Sequence, residues 1–132
     1  METSQTAGAA KEKADRRVLL ECDDPTIQDG LERVLRESGY AVSICAGPAA
    51  LGAGCTLVES GRCGLVDAAQ IVVHALDPTD DSNREVLAAL VHGHPDTAIV
   101  VETNLAADHE PGNVRQVPFP MSRTAVLDAI RR

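Results

Sequence analysis

Aromatic side chains are almost missing from this chain, which holds one Phe, one Tyr and no Trp among 132 residues. Platforms that stack exposed bases need such rings, so nucleic-acid binding of that kind is excluded. Positive charge is also scarce: 12 Lys and Arg stand against 20 Asp and Glu, a formal net charge of -8. The resulting field repels phosphate backbones and anionic lipid, so neither nucleic acid nor a membrane surface is an expected partner. No apolar run approaches the roughly 18 residues of a spanning helix. The N-terminal METSQTAGAAKEK lacks the apolar stretch of a signal peptide, which makes a cytoplasmic location the expectation.

Familiar site signatures are absent too. None of the four cysteines, Cys22, Cys45, Cys55 and Cys63, forms a CxxC pair. In a cytosolic domain with an adequate core they read first as reduced thiols. Cys55 and Cys63 in CTLVESGRC flank a stretch that could oxidise or bind metal, or they are two small half-buried residues. GPAALGAG has glycines but neither GxGxxG nor P-loop spacing, and neither a GxSxG elbow nor HExxH occurs. A Cys22 and His74 nucleophile and base pair is formally available. Nothing else in the sequence supplies a substrate pocket or an oxyanion hole for it, so no enzyme activity is expected.

What is present is an alternation of apolar runs and amphipathic stretches. The hydrophobic share of 44% is carried by Ala, Val, Leu and Ile, enough for one aliphatic core and one domain over residues 17–132. Residues 1–16 show no apolar period and read as a disordered tail. Val18, Leu19 and Leu20 form a short unalternated run, as in a strand buried on both faces. Asp24 can cap a following helix and Pro25 suits its first position, with Ile27, Leu31, Val34 and Leu35 at helical spacing and Gly39 at the end. AVSIC is a second strand closed by Gly47 and Pro48; four glycines then break residues 49–70 into a weak helix and a long loop. IVVHA is the third strand. Ser82 and Glu85 make a capping box for a helix striped by Val86, Leu87, Leu90 and Val91 and stopped at His94 and Pro95. AIVVE and VRQV are the fourth and fifth strands, and Ser122 caps a last helix with Val126, Leu127 and Ile130 facing inward. The order predicts an α/β fold with a doubly wound, five-stranded parallel sheet.

In this order the elements resemble a response-regulator receiver domain, from about Arg17 to the C-terminus. RVLLECDDPTIQDGLERVLRESGYAV resembles the family's first strand, acidic pair, first helix and second strand. HALDP resembles the stretch from the phosphorylatable Asp to the Pro four residues on. PDTAIVVET resembles the fourth strand with its terminal Thr, and VPFP the Lys-Pro-Phe segment after the fifth. The resemblance implies a flavodoxin-like fold and a phosphorylation pocket in which an acidic pair and the acceptor Asp hold Mg²⁺ while a Lys and a Thr stabilise the phosphoryl group.

Carried over by position, Cys22 and Asp23 stand for the acidic pair, His74 for the acceptor, Thr103 for the hydroxyl and Val117 for the Lys, with Asp24 beside them. Only Asp23 and Thr103 match. A thiol in place of a carboxylate weakens a hard-cation site, so the implied reading is a pseudo-receiver with a vestigial pocket that takes no phosphoryl group. Asp77 precedes Pro78 and reads as a turn residue rather than a substitute acceptor. NLAADHEPGNVRQ, between Thr103 and Val117, leaves room for little more than one turn where the family has a full fourth helix.

Two readings of His74 stand side by side. Cys22, Asp23 and His74 would converge on a transition-metal or redox site; otherwise His74 hydrogen-bonds Asp23 or Asp24 and fills the vacated pocket. No other cofactor is implied. His92, His94 and His109 read as surface residues. The expected role is a stand-alone, phosphorylation-independent module that binds a protein, or a second copy of itself, in two-component signalling. Phe119 and Met121, flanked by prolines, are its candidate contact surface.

Overall fold

The computed structural model describes residues 16–51, 55–102, 113–118 and 120–131, with the side chains of Ala50 and Leu51 outside the description. Its strands are β1 (Arg17–Cys22), β2 (Ala41–Cys45), β3 (Ile71–Ala75), β4 (Ala98–Glu102) and β5 (Val114–Val117). Its helices are α1 (Pro25–Glu37), α2 (Pro48–Leu51), α3 (Thr56–Ser60), α4 (Gly64–Asp67), α5 (Asp81–Gly93) and α6 (Arg123–Arg131). All five strands are parallel, in the order β2-β1-β3-β4-β5.

The unalternated apolar runs mark strands covered on both faces. Successive residues of a strand point to opposite sides, so each run feeds two separate layers. Val18, Leu20, Val73 and Val100 pack with Leu31 and Leu35 of α1 and with Val126 and Ile130 of α6. Leu19, Val72, Ile99 and Val101 pack on the other side with Leu57, Val66 and the α5 stripe Val86, Leu87, Leu90 and Val91. Ile27, expected on the inner face of its helix, is 48% exposed because it sits in the first turn, beyond the edge of the sheet.

Local chemistry sets the helix ends. The Asp24 carboxylate accepts the N–H groups of Thr26 and Ile27, and Pro25 needs no such partner. After Ser38 the chain reverses at Gly39, whose φ of 95° suits a residue without a Cβ. Asp24→Ala should therefore lower stability by about 0.5–2 kcal/mol with an unchanged denaturant slope in urea titration. The start of α5 differs from the expected capping box: Asp80 is the cap and its carboxylate accepts Ser82 N–H. An Asp two positions earlier offers the same acceptor with the stronger charge, so Ser82 falls inside the first turn. Ser122 does cap α6, its Oγ accepting Ala125 N–H.

The region read as one weak helix and a loop holds three short helices, α2 to α4. Gly61, with a φ of 79°, ends α3 in a left-handed conformation, so the glycines punctuate helical turns rather than dissolve them. Of the stretch between Thr103 and Val117 expected to hold a shortened helix, residues 104–112 lie outside the described residues and β5 begins at Val114; residues 1–15 of the expected tail over 1–16 lie outside them too.

Candidate functional site

The carboxyl ends of β1, β3 and β4 open onto a cleft of about 540 Å³. Open parallel sheets place their ligand sites at this edge. The described residues lining it include four carboxylates, Asp23, Asp24, Asp77 and Glu102, together with Ile27 and Pro78. Asp23 joins the loop after β3 to that after β1: its Oδ2 accepts the Asp77 N–H at 3.0 Å and the Asn83 amide at 3.3 Å. Asn83 is buried, donates also to the Asp77 carbonyl at 3.0 Å, and leaves its Oδ1 without a partner among the described residues. That oxygen lies beside Gly47, where an added Cβ would stand 3.3 Å from it and 2.9 Å from Leu76. The left-handed turn at Gly47 is thus also a close approach of backbone to α5, which a larger residue would push apart.

Asp77 sits in a turn, as its Asp-Pro sequence implies. Its carboxylate accepts both the N–H and the hydroxyl of Thr79, and these two bonds hold its pKa below the usual range. Glu102, at the end of β4, accepts the N–H of Met121 at 3.1 Å and ties the segment before α6 to the cleft rim.

Of the residues assigned to a vestigial phosphorylation pocket, Asp23 and Asp24 line this cleft. Thr103 lies outside the described residues. Val117 is wholly buried in the first core layer, and so is Cys22, with two strands between them. The Cys22 thiol contacts the Asp24 carbonyl at 3.4 Å, and burial, reinforced by the nearby charges of Asp23 and Asp24, pushes its pKa up.

His74 is placed elsewhere. It is 2% exposed and its Nδ1 lies 2.7 Å from Oε1 of Glu21, itself 3% exposed. The two residues are register partners on adjacent strands, Glu21 on β1 and His74 on β3. Alternation puts Glu21 with Leu19 and His74 with Val72, on the α5 side of the sheet, whereas Cys22 belongs with Val18 and Leu20 on the α1 side. This corrects both readings of His74. Its partner is neither Asp23 nor Asp24, and Cys22 and His74 do not converge, because they occupy opposite faces. Among the described residues no three His, Cys, Asp or Glu side chains are grouped to hold a metal ion.

The residues here do not fit the Mg²⁺ that the receiver resemblance implies. Cys22 is a buried thiol, Asp23 already accepts two hydrogen bonds on one oxygen, and the acceptor-position side chain faces the other layer. Glu21 is the functional candidate that the sequence reading passed over. A lone carboxylate between Leu20 and Cys22 in an apolar strand was the available signal, since such a group is buried only with a partner.

Of the remaining candidates, Met121 is half-buried against the first core layer, while Phe119 and His109 lie outside the described residues. His92 is exposed on α5. His94 is half-buried at the end of that helix, its Nε2 lying 3.1 Å from the Gly61 carbonyl, so it fastens α5 to α3 rather than standing free.

No protein-family model matches the chain, and no curated protein does. Solved structures do. A pilus assembly-related protein from Burkholderia pseudomallei K96243 aligns with a TM-score of 0.62 at 19% identity, covering 91% of this chain and 90% of that one. A CheY-like response regulator receiver domain protein from Methanospirillum hungatei JF-1 aligns at 0.60 and 18% identity, covering 88% and 90%. The signal receiver domain of a response regulator from Bermanella marisrubri aligns at 0.54 and 20% identity, covering 89% and 96%. At these identities the likeness establishes a shared doubly wound α/β fold, that of receiver domains, and leaves the activity to be argued from the site.

Proposed function

We propose that this chain is an atypical receiver that works as a phosphorylation-independent, non-enzymatic protein-interaction module in signalling, with its output delivered through a protein partner or a second copy. One observation carries the proposal. At the position where a receiver presents its acceptor carboxylate to the cleft, this chain has an imidazole buried in the opposite layer and hydrogen-bonded to Glu21. A group so placed neither attacks a phosphoryl donor nor contributes an oxygen ligand to a hard cation. Val117, fully buried at the Lys position, supplies no charge to balance a phosphoryl group. The four carboxylates of the cleft would instead repel one.

The metal or redox alternative built on Cys22 and His74 is not carried forward, since the sheet separates the two. The expected result with acetyl phosphate, or with a beryllofluoride mimic, in the presence of Mg²⁺ is an unchanged intact mass and an unchanged amide spectrum. A phosphoryl adduct that hydroxylamine removes would overturn the proposal and direct attention to Asp23 or Asp77.

A further inference from the structure

On the α5 side of the sheet, beside Glu21, lies a cavity of about 20 Å³. Its wall includes Glu21 and three of the four cysteines of the chain: Cys45, Cys55 and Cys63. The three cysteines fall within one short stretch of chain, and the fold brings them to the same wall as Glu21 of β1. Cys45 is the last residue of β2, Cys55 precedes α3, and Cys63 precedes α4. All three are half-buried free thiols. The remaining wall is aliphatic, with Leu57, Val66 and Val86 among its residues.

We propose that this cavity is an oxidation site, in which Cys45 and either Cys55 or Cys63 close an intramolecular disulfide under peroxide, independently of the cleft at the carboxyl edge. Two observations support it. Three thiols line one cavity, and Cys45 feels the charge of both Cys55 and Cys63. Disulfide closure needs a shift that brings two Cβ atoms to roughly 4 Å. The elements that must shift, α3 and α4, are single turns whose caps, Cys55 and Cys63, make no side-chain hydrogen bond to the helix.

The steps balance without a further reactant. The thiolate of Cys55 or Cys63 attacks hydrogen peroxide, an S–O bond forms as the O–O bond breaks, and water leaves with a proton taken up. The sulfenic acid sulfur is then attacked by the Cys45 sulfur. The S–S bond forms, the S–O bond breaks, and a second water carries off the oxygen with the Cys45 proton. Two thiols are oxidised and one peroxide is reduced to two waters. Cys45 suits the second role. Burial raises its pKa, and the charge of Glu21 and the neighbouring thiols raises it further, against a lowering by the Gly47 backbone, so it remains a thiol during the first step.

The test is made on the full chain, reduced and then treated with hydrogen peroxide, with thiol counting under denaturing conditions and peptide mapping by mass spectrometry. The expected result is loss of two of the four thiols, a mass lower by two hydrogens, a linked peptide pair that includes Cys45, and full return of the four thiols with dithiothreitol. Cys22, wholly buried in the other layer, should stay reduced. Cys45→Ser tests the assignment with a near-isosteric change at a half-buried position, and circular dichroism confirms that it folds. In that variant peroxide should yield a sulfenic acid, trapped by dimedone, in place of the Cys45 linkage. A Cys55–Cys63 link with Cys45 free, linkage only between molecules, or four unreacted thiols in the folded parent would each overturn the proposal.

Discussion

Glu21→Ala is expected to destabilise the domain by about 2–5 kcal/mol, the cost of leaving one member of a buried polar pair without its partner. The carboxylate and the His74 ring lie at 2.7 Å with almost no access to water, so solvent cannot replace the lost bond. Against a typical total of about 5–15 kcal/mol, the loss is large and should lower the melting midpoint by on the order of 10–20 °C. Glu21→Gln keeps an acceptor oxygen of nearly the same reach and should fall between the parent and the Ala variant. Replacing both members by Leu removes the need for a partner altogether and should recover most of the parent stability. Urea titration of the four proteins checks the series. If Glu21→Ala lies within about 1 kcal/mol of the parent, the pair is not the anchor described, and the burial of His74 needs another account.

His74→Asp is expected to be a second large effect, and its direction with pH is the informative part. The new carboxylate would enter the α5-side layer opposite Glu21, where two buried like charges cannot both ionise. One of the two carboxyl groups must then have a folded pKa raised above its unfolded value of about 4. A group raised in that sense contributes its full stability below the unfolded pKa and loses it as pH rises through the folded one. The variant should therefore be more stable near pH 4–5 than near pH 8, by about 2–3 kcal/mol if the shift is two to three units, a gradient opposite to ordinary acid denaturation. Denaturation at the two pH values checks it. The same variant should take up no phosphoryl group and bind Mg²⁺ weakly at most, since Cys22 and Val117 remain buried as they are. Flat pH dependence together with efficient phosphorylation would show that residue 74 opens into the cleft.

Both predictions rest on the face of the sheet that each residue takes, and the limits of sequence reading lie there. Order, type and boundaries of the long elements were legible because their causes are local. Asp24 and Pro25 start a helix, Gly39 ends it, Ser122 starts another, and four-to-five-residue aliphatic runs between them have the length and composition of buried strands. Even the resemblance to a receiver rests on that local order. The stretch 49–70 was read less well: single-turn helices owe their existence to packing of a few residues, such as Leu57 and Val66, against a layer assembled from distant strands.

The succession of strands and helices and the parallel sheet could thus be read from the chain, because they follow from residue type and spacing. Which neighbours each polar residue acquired could not. A strand buried on both faces has no polar and apolar alternation to announce its orientation, so VLLEC reads the same whether Glu21 or Cys22 faces α5. The choice was made by the register of β1 against β3, which brings residue 21 to residue 74 across more than fifty positions and leaves Cys22 on the other side. In the same way, Cys45, Cys55 and Cys63 carry no motif along the chain and share one cavity because a strand end and two helix starts meet over the second layer. Such contacts are properties of the assembled sheet and its covering helices, not of residue type and spacing along the chain.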